Sequence, residues 1–329
     1  LQENTEITRS IISNMAQSDY FDIVNDVNTL NAYRGDTPLQ DTRSLLQSGR
    51  VNFVLTIPSG FSKAWVRGEK PSLLLEADAT DPAAAAMAVA QIKPIVDRTL
   101  ADIQIGSLDY LKPKPSSITT LVHNKYNPEG ISQFNIVPGL LGVILTMTMV
   151  MITSIAMTRE AERGTMENLL AMPSKPLEVM IGKITPYVLM GLVQTIIILL
   201  ASNMLFHLPF VGSGSTFGLG VGLFILANLA IGFTFSTIAK SQMQAMQLTF
   251  FFFLPSMLLS GFMFPFQGMP KWAQYLGEIL PLTHFLRIVR GIMLKGTSLS
   301  LLSNEFLALL AILIIVGIIA MLRYRQTLD

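Results

Sequence analysis

The stretch "TREAERGTMENLLAMPSKPLEVMIGK", residues 158–183, separates two strongly apolar runs of the chain. It holds eight charged side chains in 26 residues, four of each sign, whereas the neighbouring runs 136–157 and 184–206 hold none. The hydrocarbon core of a bilayer is about 30 Å thick and needs about 20 apolar helical residues to cross it. The pattern therefore predicts that the chain leaves a membrane, forms a short charged segment and enters the membrane again.

The two parts of the chain differ in composition. Residues 1–134 carry 12 Lys/Arg and 15 Asp/Glu, and residues 135–329 carry 11 and 7. Because the whole chain is only 14% charged, against roughly 25% in soluble proteins, the shortage lies in the second part. We expect a soluble N-terminal domain over 1–134 and a transmembrane domain over 135–329.

Five stretches of the second part are long and apolar enough to span a bilayer: 136–157, 184–206, 217–239, 245–264 and 304–322. Pro186 lies near the start of the second, where its missing N–H costs little. Pro255 and Gly261 predict a kinked or broken fourth helix. "GLGVG", residues 218–222, has the small-xxx-small spacing of closely packed membrane helices.

The Lys and Arg residues of the loops predict the orientation. Those after the first, third and fifth spans fall on one side, which is therefore expected to be cytoplasmic, while the 207–216 link has none. Residues 265–303 carry four, which weakens the bias without reversing it. The N-terminal domain is then extracytoplasmic. Residues 1–30 contain no apolar export signal and the chain begins with Leu1, so we expect a first span upstream and six spans in the intact protein.

The N-terminal domain reads as alternating α and β. "TEITRSIISNMAQS" and "DTRSLLQSG" have helical periodicity, and residues 51–58 and 72–80 form strand-like apolar runs. Asp81 and Pro82 fit the N-cap and the first position of a helix. A small α/β domain with a three- or four-stranded sheet is expected. Asp78 and Asp81 could be paired catalytic carboxylates, but a strand end followed by a helix cap is the favoured interpretation.

Several classes of function are disfavoured. The chain has no cysteine and a net charge of +1, which excludes thiolate metal sites and gives no reason to expect nucleic acid. His123, His207 and His284 are too far apart in sequence for a local metal motif. No phosphate-binding G-x-x-x-x-G-K-[ST] loop occurs. The spans lack ionisable residues well inside the hydrocarbon region, which disfavours a gradient-driven carrier.

Four polar residues lie within the spans. Hydrogen bonds between helices are the favoured role for them, with substrate contact as the alternative. They are Gln194, Asn203, Asn228 and Gln247.

Two motifs carry a resemblance to a known family. "REAERGTMENLLAMP", residues 159–173, resembles the cytoplasmic segment of ABC transporter type-2 permeases, R-E-x-E-x-G-T-x-E-x-L-L-x-x-P. Residues 264–296 resemble the family's F-P-x-x-x-M-P-x-W … P-L-T-x-F … R-x-I-x-L-K-G segment before the last span. Residues 49–85 resemble the centre of the large outer domain of the bacterial multidrug and efflux subgroup. The resemblance covers nearly the whole chain and lacks only the family's cytoplasmic N-terminus and first span.

This resemblance implies a polytopic permease of the bacterial inner membrane. Such permeases pair with a second copy or a paralogue and bind ABC ATPase subunits, so ATP and Mg²⁺ would lie on the partner and no cofactor on this chain. The implied function is export of an amphiphilic or drug-like substrate, with a periplasmic adaptor as a further candidate partner. The alternative is a membrane-anchored receptor whose outer domain binds a ligand.

The charged segment is then the candidate site for the ATPase. Residues 165–172 can form two helical turns with an apolar face, preceded by a turn at Gly164 and ended by Pro173. Such a helix fits a groove on a soluble partner, and the charged residues before it would surround the contact. A solvated loop is the alternative. The candidate coupling residues are Arg159, Glu160, Glu162, Arg163, Gly164, Thr165, Met166, Glu167, Leu169, Leu170 and Pro173.

Residues 265–300 predict two short amphipathic helices at the outer interface. Trp272, Leu276 and Ile279 recur at helical spacing in the first, and Phe285 begins the pattern of the second. A lid packed on the spans and an outer gate above the export path remain equally open. The candidate gate residues are Pro265, Met269, Pro270, Trp272, Pro281 and Phe285.

Overall fold

The computed structural model describes residues 3, 5–18, 21–23, 39–105, 118–163 and 176–326. The chain divides into two compact units, Leu1–Ser132 and Gln133–Asp329. The predicted fold class is confirmed: a small three-stranded sheet with helices occupies the first unit, and long apolar helices make up the second.

The N-terminal unit is built on a mixed sheet of order β1-β2-β3. Strand β1 pairs with β2 antiparallel and β2 pairs with β3 parallel. A parallel pair needs a crossover connection, which α4 provides. The described elements are α1 (Glu6–Gln17), α2 (Leu39–Gln47), β1 (Phe53–Thr56), α3 (Phe61–Val66), β2 (Ser72–Asp78), α4 (Pro82–Ile105) and β3 (Thr119–Lys125).

The core of this unit lies between one face of the sheet and the helices. Leu73 and Leu75 of β2 pack with Phe61 and Trp65 of α3, and Ile92 of α4 joins them, all almost completely buried. Alternation along β2 places these leucines on one face because successive strand side chains point to opposite sides. The apolar run 72–80 therefore supplies part of this core.

The two acidic residues after β2 serve the backbone. Asp81 Oδ1 accepts hydrogen bonds from the N–H groups of Ala83 and Ala84, each at 3.2 Å. Asp78 Oδ1 accepts from the N–H and the hydroxyl of Thr80, at 3.1 and 2.8 Å. The helix-cap interpretation of Asp81 is confirmed.

Over its described residues, 133–163 and 176–326, the second unit contains seven helices and a short 3-10 turn, Phe266–Gly268. Four of the helices are long and apolar enough to cross a membrane: Ser132–Glu160, Gly182–Phe206, Gly214–Ile238 and Ser303–Arg323. The helices are α5 (Ser132–Glu162), α6 (Pro176–Phe206), α7 (Gly214–Ile238), α8 (Gln242–Leu259), α9 (Lys271–Glu278), α10 (Pro281–Lys295) and α11 (Ser303–Gln326).

Helix α7 is the centre of this unit. In its most apolar 18-residue stretch, 67% is buried inside the protein. The helix packs against α6, α8, α10 and α11. A Cβ atom on Gly232 would lie 2.6 Å from the carbonyl oxygen of Val150, so only glycine permits this approach of α7 to α5. In the corresponding stretches of α6 and α11, only 17% is buried. Their apolar faces are therefore available to lipid or to another protein.

Two local expectations are wrong. Pro186 lies inside α6, because the helix already begins at Pro176 and extends the apolar run into the charged segment. Among the residues that the structure describes, the glycines at the ends of "GLGVG" make no close helix contact, since a Cβ on Gly218 or Gly222 meets nothing within 4 Å. The contact is made by Gly220, whose Cβ would lie 2.9 Å from Ile288 of α10.

Helix α8 is shorter than the predicted fourth span. It includes Pro255 and ends at Leu259, and Gly261 follows in the left-handed conformation with φ +86°. At about 1.5 Å per residue, its 18 residues extend roughly 27 Å, which approaches the thickness of the hydrocarbon core.

Hydrogen bonds identify two opposite faces of the second unit. Glu162 at the end of α5 accepts from the N–H of Gln242 at the start of α8, at 2.8 Å. At the other end of α6, the N–H of Val211 donates to the carbonyl of Met293 in α10, at 3.1 Å. We call the first end the coupling face, since the charged segment follows α5 there. The second is the hairpin face, named for the α9–α10 hairpin, Lys271–Lys295.

Candidate functional site

The apolar part of the candidate coupling segment lies outside the described residues. This applies to Gly164, Thr165, Met166, Glu167, Leu169, Leu170 and Pro173. The structure describes both ends of the segment: α5 continues to Glu162, and α6 begins at Pro176. Residues 158–162 and 176–183 of the predicted loop thus belong to the ends of α5 and α6. Residues 163–175 connect the two helices.

Two carboxylates of α5 connect helix ends at the coupling face. Glu160 forms an ion pair with Lys183, near the start of α6. Glu162 accepts from the backbone N–H of Gln242 at 2.8 Å and from its side-chain amide at 2.6 Å. Four of the charged residues expected to surround a partner are described by the structure. Glu160 and Glu162 make contacts within the chain. The other two, Arg159 and Arg163, are exposed.

The position of Glu162 suits a negative charge. It lies at the N-terminus of α8, where unsatisfied N–H groups and the helix dipole favour anions. The side-chain and backbone hydrogen bonds from Gln242 lower the pKa of Glu162 below its ordinary value. The carboxylate therefore remains ionised and keeps α8 attached to α5 at neutral pH.

The candidate gate residues divide between the surface and the interior. Pro270 and Trp272 are exposed, Pro265 and Met269 are half-buried, and Pro281 is buried. Phe285 is completely buried and its ring stacks on Phe224 of α7, with centroids 3.9 Å apart and planes at 3°.

The two helices of the hairpin differ in the same way. The large apolar residues Trp272 and Leu276 of α9 are exposed, and so is Ile279 directly after it. Helix α10 is buried among α7, α8, α9 and α11, although the sequence predicted that it would lie on a surface. A Cβ on Gly142 of α5 would lie 2.7 Å from Leu282 and 3.0 Å from Phe285, so α10 is also held against α5.

Beside the hairpin lies a cluster that the sequence reasoning missed, the four-charge cluster of Glu278, His284, Arg287 and Glu305. His284 Nδ1 lies 2.6 Å from Glu305 Oε2, and its Nε2 lies 2.9 Å from the main-chain carbonyl of Glu278. Arg287 bonds Glu278 in a fork at 2.5 and 3.2 Å and also reaches Glu305 at 3.3 Å. The cluster joins α9, α10 and the first turn of α11.

A signal for this cluster was present in the sequence. His284 and Arg287 are three residues apart, which puts them on one face of a helix whose other residues are mostly apolar. Glu305 stands at the start of an apolar span with no neighbouring cation in sequence. The partners were not recognisable, since the carboxylates are supplied from other helices.

The polar residues of the spans have different surroundings. Gln194 Oε1 lies 2.9 Å from the hydroxyl of Thr148, so this pair links α6 to α5. Asn228 is completely buried in α7 and its amide donates to the carbonyl of Phe224 at 2.9 Å. Asn203 and Gln247 are exposed within the single chain.

Within the part of the chain that the structure describes, no three His, Asp or Glu residues are grouped so as to hold a metal ion. The four-charge cluster is occupied by its own ion pairs, and the carboxylates of the coupling face bind Lys183 and Gln242. The charged residues of these two groups therefore join helices to one another.

A bundle of spanning helices, with a small α/β unit before it and helix ends tied together beside a charged segment, defines a polytopic membrane protein. The family model described as "ABC-2 family transporter protein" matches residues 1–322. The chain therefore belongs to the ABC-2 transporter family, a multi-pass membrane family that implies a partner ABC ATPase.

Curated relatives agree with this assignment. The "Probable multidrug ABC transporter permease YbhR" of Escherichia coli K12 is 30% identical over 287 residues, which cover 87% of this chain and 77% of the relative. The "Inner membrane transport permease YhhJ" of the same strain is 32% identical over 86% of this chain and 75% of the relative. YbhS, a "Probable multidrug ABC transporter permease", is 26% identical over 100% of this chain and 84% of the relative. No solved structure matches the chain.

Proposed function

We propose that the chain is the membrane-spanning permease subunit of an ATP-driven exporter, and that it moves an amphiphilic or drug-like substrate out of the cytoplasm. The ATPase, with its ATP and Mg²⁺, is a separate subunit that binds at the coupling face. The observation that carries this proposal is the joining of three helix ends there, by the Glu160–Lys183 ion pair and the Glu162–Gln242 hydrogen bonds.

This arrangement supports transmission of force. Residues 163–175 join α5 to α6 along the chain. Glu162 connects the end of α5 to the start of α8 through its hydrogen bonds with Gln242. A partner that displaces the segment would move the ends of three helices together. Helix α7, packed against both α6 and α8, would receive the displacement along its length. The coupling face can thus act as one mechanical unit.

We propose that the ATPase contacts Met166, Leu169 and Leu170, whose spacing in the sequence would place them on one face of a helix. Three apolar side chains at helical spacing are the anchors that a helix inserts into a groove, whereas exposed charges contribute orientation more than affinity. The exposed guanidinium groups of Arg159 and Arg163 would guide the approach.

The test is the double variant Leu169→Asp/Leu170→Asp. Two buried carboxylates in an apolar groove cost several kcal/mol, so we expect transport and substrate-stimulated ATP hydrolysis to be lost in reconstituted vesicles while membrane insertion is unchanged. The matched control is Asn168→Asp, which adds a negative charge to the same segment away from the apolar face and should retain transport. Normal transport by the double variant would contradict the coupling assignment.

The remaining parts of the proposal concern location and partners. We place the chain in a bacterial inner membrane with the N-terminal unit on the periplasmic side, where an adaptor could bind it. A second permease copy, identical or a paralogue, completes the transporter, and the hairpin face carries the outer gate. Purification of the tagged chain from its native membranes tests this directly: an ABC ATPase should accompany a permease, whereas a ligand-binding receptor would be recovered without one.

A further inference from the structure

The hydrogen-bond partners of His284 determine its charge state. One ring nitrogen faces a carboxylate oxygen of Glu305 at 2.6 Å and the other faces the carbonyl oxygen of Glu278 at 2.9 Å. The carbonyl and an ionised carboxylate only accept hydrogen bonds, so with Glu305 ionised both ring nitrogens must donate. Only the doubly protonated imidazolium can do this. A neutral ring would direct a lone pair at one of the two oxygens.

The charges around the ring agree with this assignment. Glu278 and Glu305 supply two negative charges, and Arg287 with protonated His284 supplies two positive charges, so the cluster is neutral only when the imidazole is charged. Burial alone would lower the pKa of His284, but the hydrogen bonds to Glu305 and Glu278 and the charges of both carboxylates raise it above its ordinary 6.5.

The elements packed against His284 bring no competing charge close to it. Helices α7 and α8 and residues 260–270 contain no Asp, Glu, Lys, Arg or His. Helix α9 contributes Glu278 and, at its other end, Lys271. Helix α11 contributes Glu305, and the charged residues of α5 lie at the coupling face. On α10 itself, Arg290 Nη1 donates to the carbonyl of Gly261 at 3.2 Å.

The ring and its partners belong to different helices, so protonation controls an attachment. His284 lies on α10, Glu278 ends α9 and Glu305 lies in the first turn of α11. We propose that His284 is a proton-controlled latch that holds the α9–α10 hairpin against the start of α11 and releases it when the imidazole loses its proton.

The direction of the pH response follows from the raised pKa. The attachment is complete below the ordinary pKa of 6.5 and is lost as the pH rises through the higher pKa of the folded protein. Alkaline conditions at the hairpin face therefore loosen the hairpin, and acidic conditions retain it. The latch is a property of the fold and does not depend on whether the chain transports a substrate.

The absence of cysteine from the chain makes a distance measurement straightforward. Spin labels at Tyr275→Cys on α9 and Asn304→Cys on α11, both exposed, report the separation of the hairpin from α11 in the full chain in lipid nanodiscs. We expect one narrow distance distribution at pH about 6, and a broader and longer one once the pH, raised in steps to about 9.5, has passed through the raised pKa of the ring. A distribution that stays narrow across this range would overturn the proposal.

Three variants separate the latch from a general effect of pH. His284→Gln cannot take up a proton and carries both of its N–H donors on one nitrogen, so it cannot replace donation from two separate ring nitrogens. It should give the broad distribution at both pH values, whereas His123→Gln, which replaces an exposed histidine of β3, should keep the wild-type response. Glu305→Gln retains a hydrogen-bonding group but removes the charge, and should move the transition to lower pH by about one unit or more. An unchanged midpoint in Glu305→Gln, or a pH response retained in His284→Gln, would contradict the latch.

Discussion

The two faces of the membrane unit differ in the burial of some of their charged residues, although Arg287 and Glu278 of the hairpin face are 34% and 42% exposed. At the hairpin face, the side chain of His284 is 6% exposed and that of Glu305 is 23% exposed. At the coupling face, Glu162 is exposed and the Glu160 side chain of the ion pair with Lys183 is 36% exposed. Solvent-exposed ion pairs contribute little to the free energy of unfolding, whereas removing one partner of a buried ion pair lowers that free energy substantially.

The difference indicates which face can move. Bonds at the coupling face join helix ends at small cost, so they can break and form again during a cycle of movement. The four-charge cluster, in contrast, fixes α10 within the bundle unless its charge balance changes. The coupling face is suited to receive force, and the hairpin face to hold one arrangement until protonation alters it.

The largest effect is expected from Arg287→Met. The substitution leaves His284 as the remaining cation of the cluster. Glu278 loses its fork of two hydrogen bonds, and Glu305 loses the hydrogen bond from Arg287 Nη1. Breaking a fully buried pair costs about 3–5 kcal/mol, and with Arg287 partly exposed we expect about 2–3 kcal/mol. Thermal unfolding of the purified chain in nanodiscs measures this as a fall in the midpoint.

The control for that measurement is Lys271→Met, which removes an exposed cation from the same hairpin. Surface substitutions of this kind are usually within about 0.5 kcal/mol. If both variants unfolded at the same temperature, the cluster would not be the attachment of the hairpin, and the contrast between the two faces would fail.

An intermediate effect is expected from Gly277→Ala in α9. A Cβ there would lie 2.6 Å from the carbonyl oxygen of Leu259 and 2.7 Å from the ring of Phe266. Overpacking of this kind costs about 1–3 kcal/mol, so α9 should detach from the end of α8 and the unfolding midpoint should fall. Gly268→Ala is the matched control, because its Cβ meets nothing within 4 Å. Equal midpoints for the two variants would show that this contact does not hold the hairpin.

Features written in local patterns were predictable from the sequence. The periodicity of residues 5–18 became α1, the runs 51–58 and 72–80 contain β1 and β2, and Asp81 is the expected helix cap. Each of these depends on neighbours in the chain, so propensity and hydrophobic pattern suffice. Four of the five predicted spans correspond to described helices that are long and apolar enough to cross a membrane, because length and hydropathy decide them. The fourth predicted span became the shorter helix α8.

Features that depend on distant residues were not predictable. The burial of α10 and the four-charge cluster require α9, α10 and α11 to meet, and residues 278 and 305 are brought together only by the fold. Pro186 was misplaced because an apolar run marks the membrane, while the helix extends beyond it to Pro176. The family motifs located the coupling residues, but the roles of those residues remain predictions.

The smallest effect is expected at the coupling face, from Glu162→Gln. Its carboxylate is ionised at neutral pH with a pKa held below 4.5 by Gln242, so its contribution is present there and is lost as the pH falls through that lowered pKa. This is opposite in sign to the hairpin face, which loosens as the pH rises. Spin labels at Arg163→Cys and Lys240→Cys should therefore separate in acid and remain close under alkaline conditions. In Glu162→Gln the acid response should disappear, whereas Glu69→Gln, an exposed residue of the N-terminal unit, should preserve it. A coupling-face distance that followed the alkaline transition of the hairpin would show that the two faces move as one body, and their contrast in burial would then have no mechanical meaning.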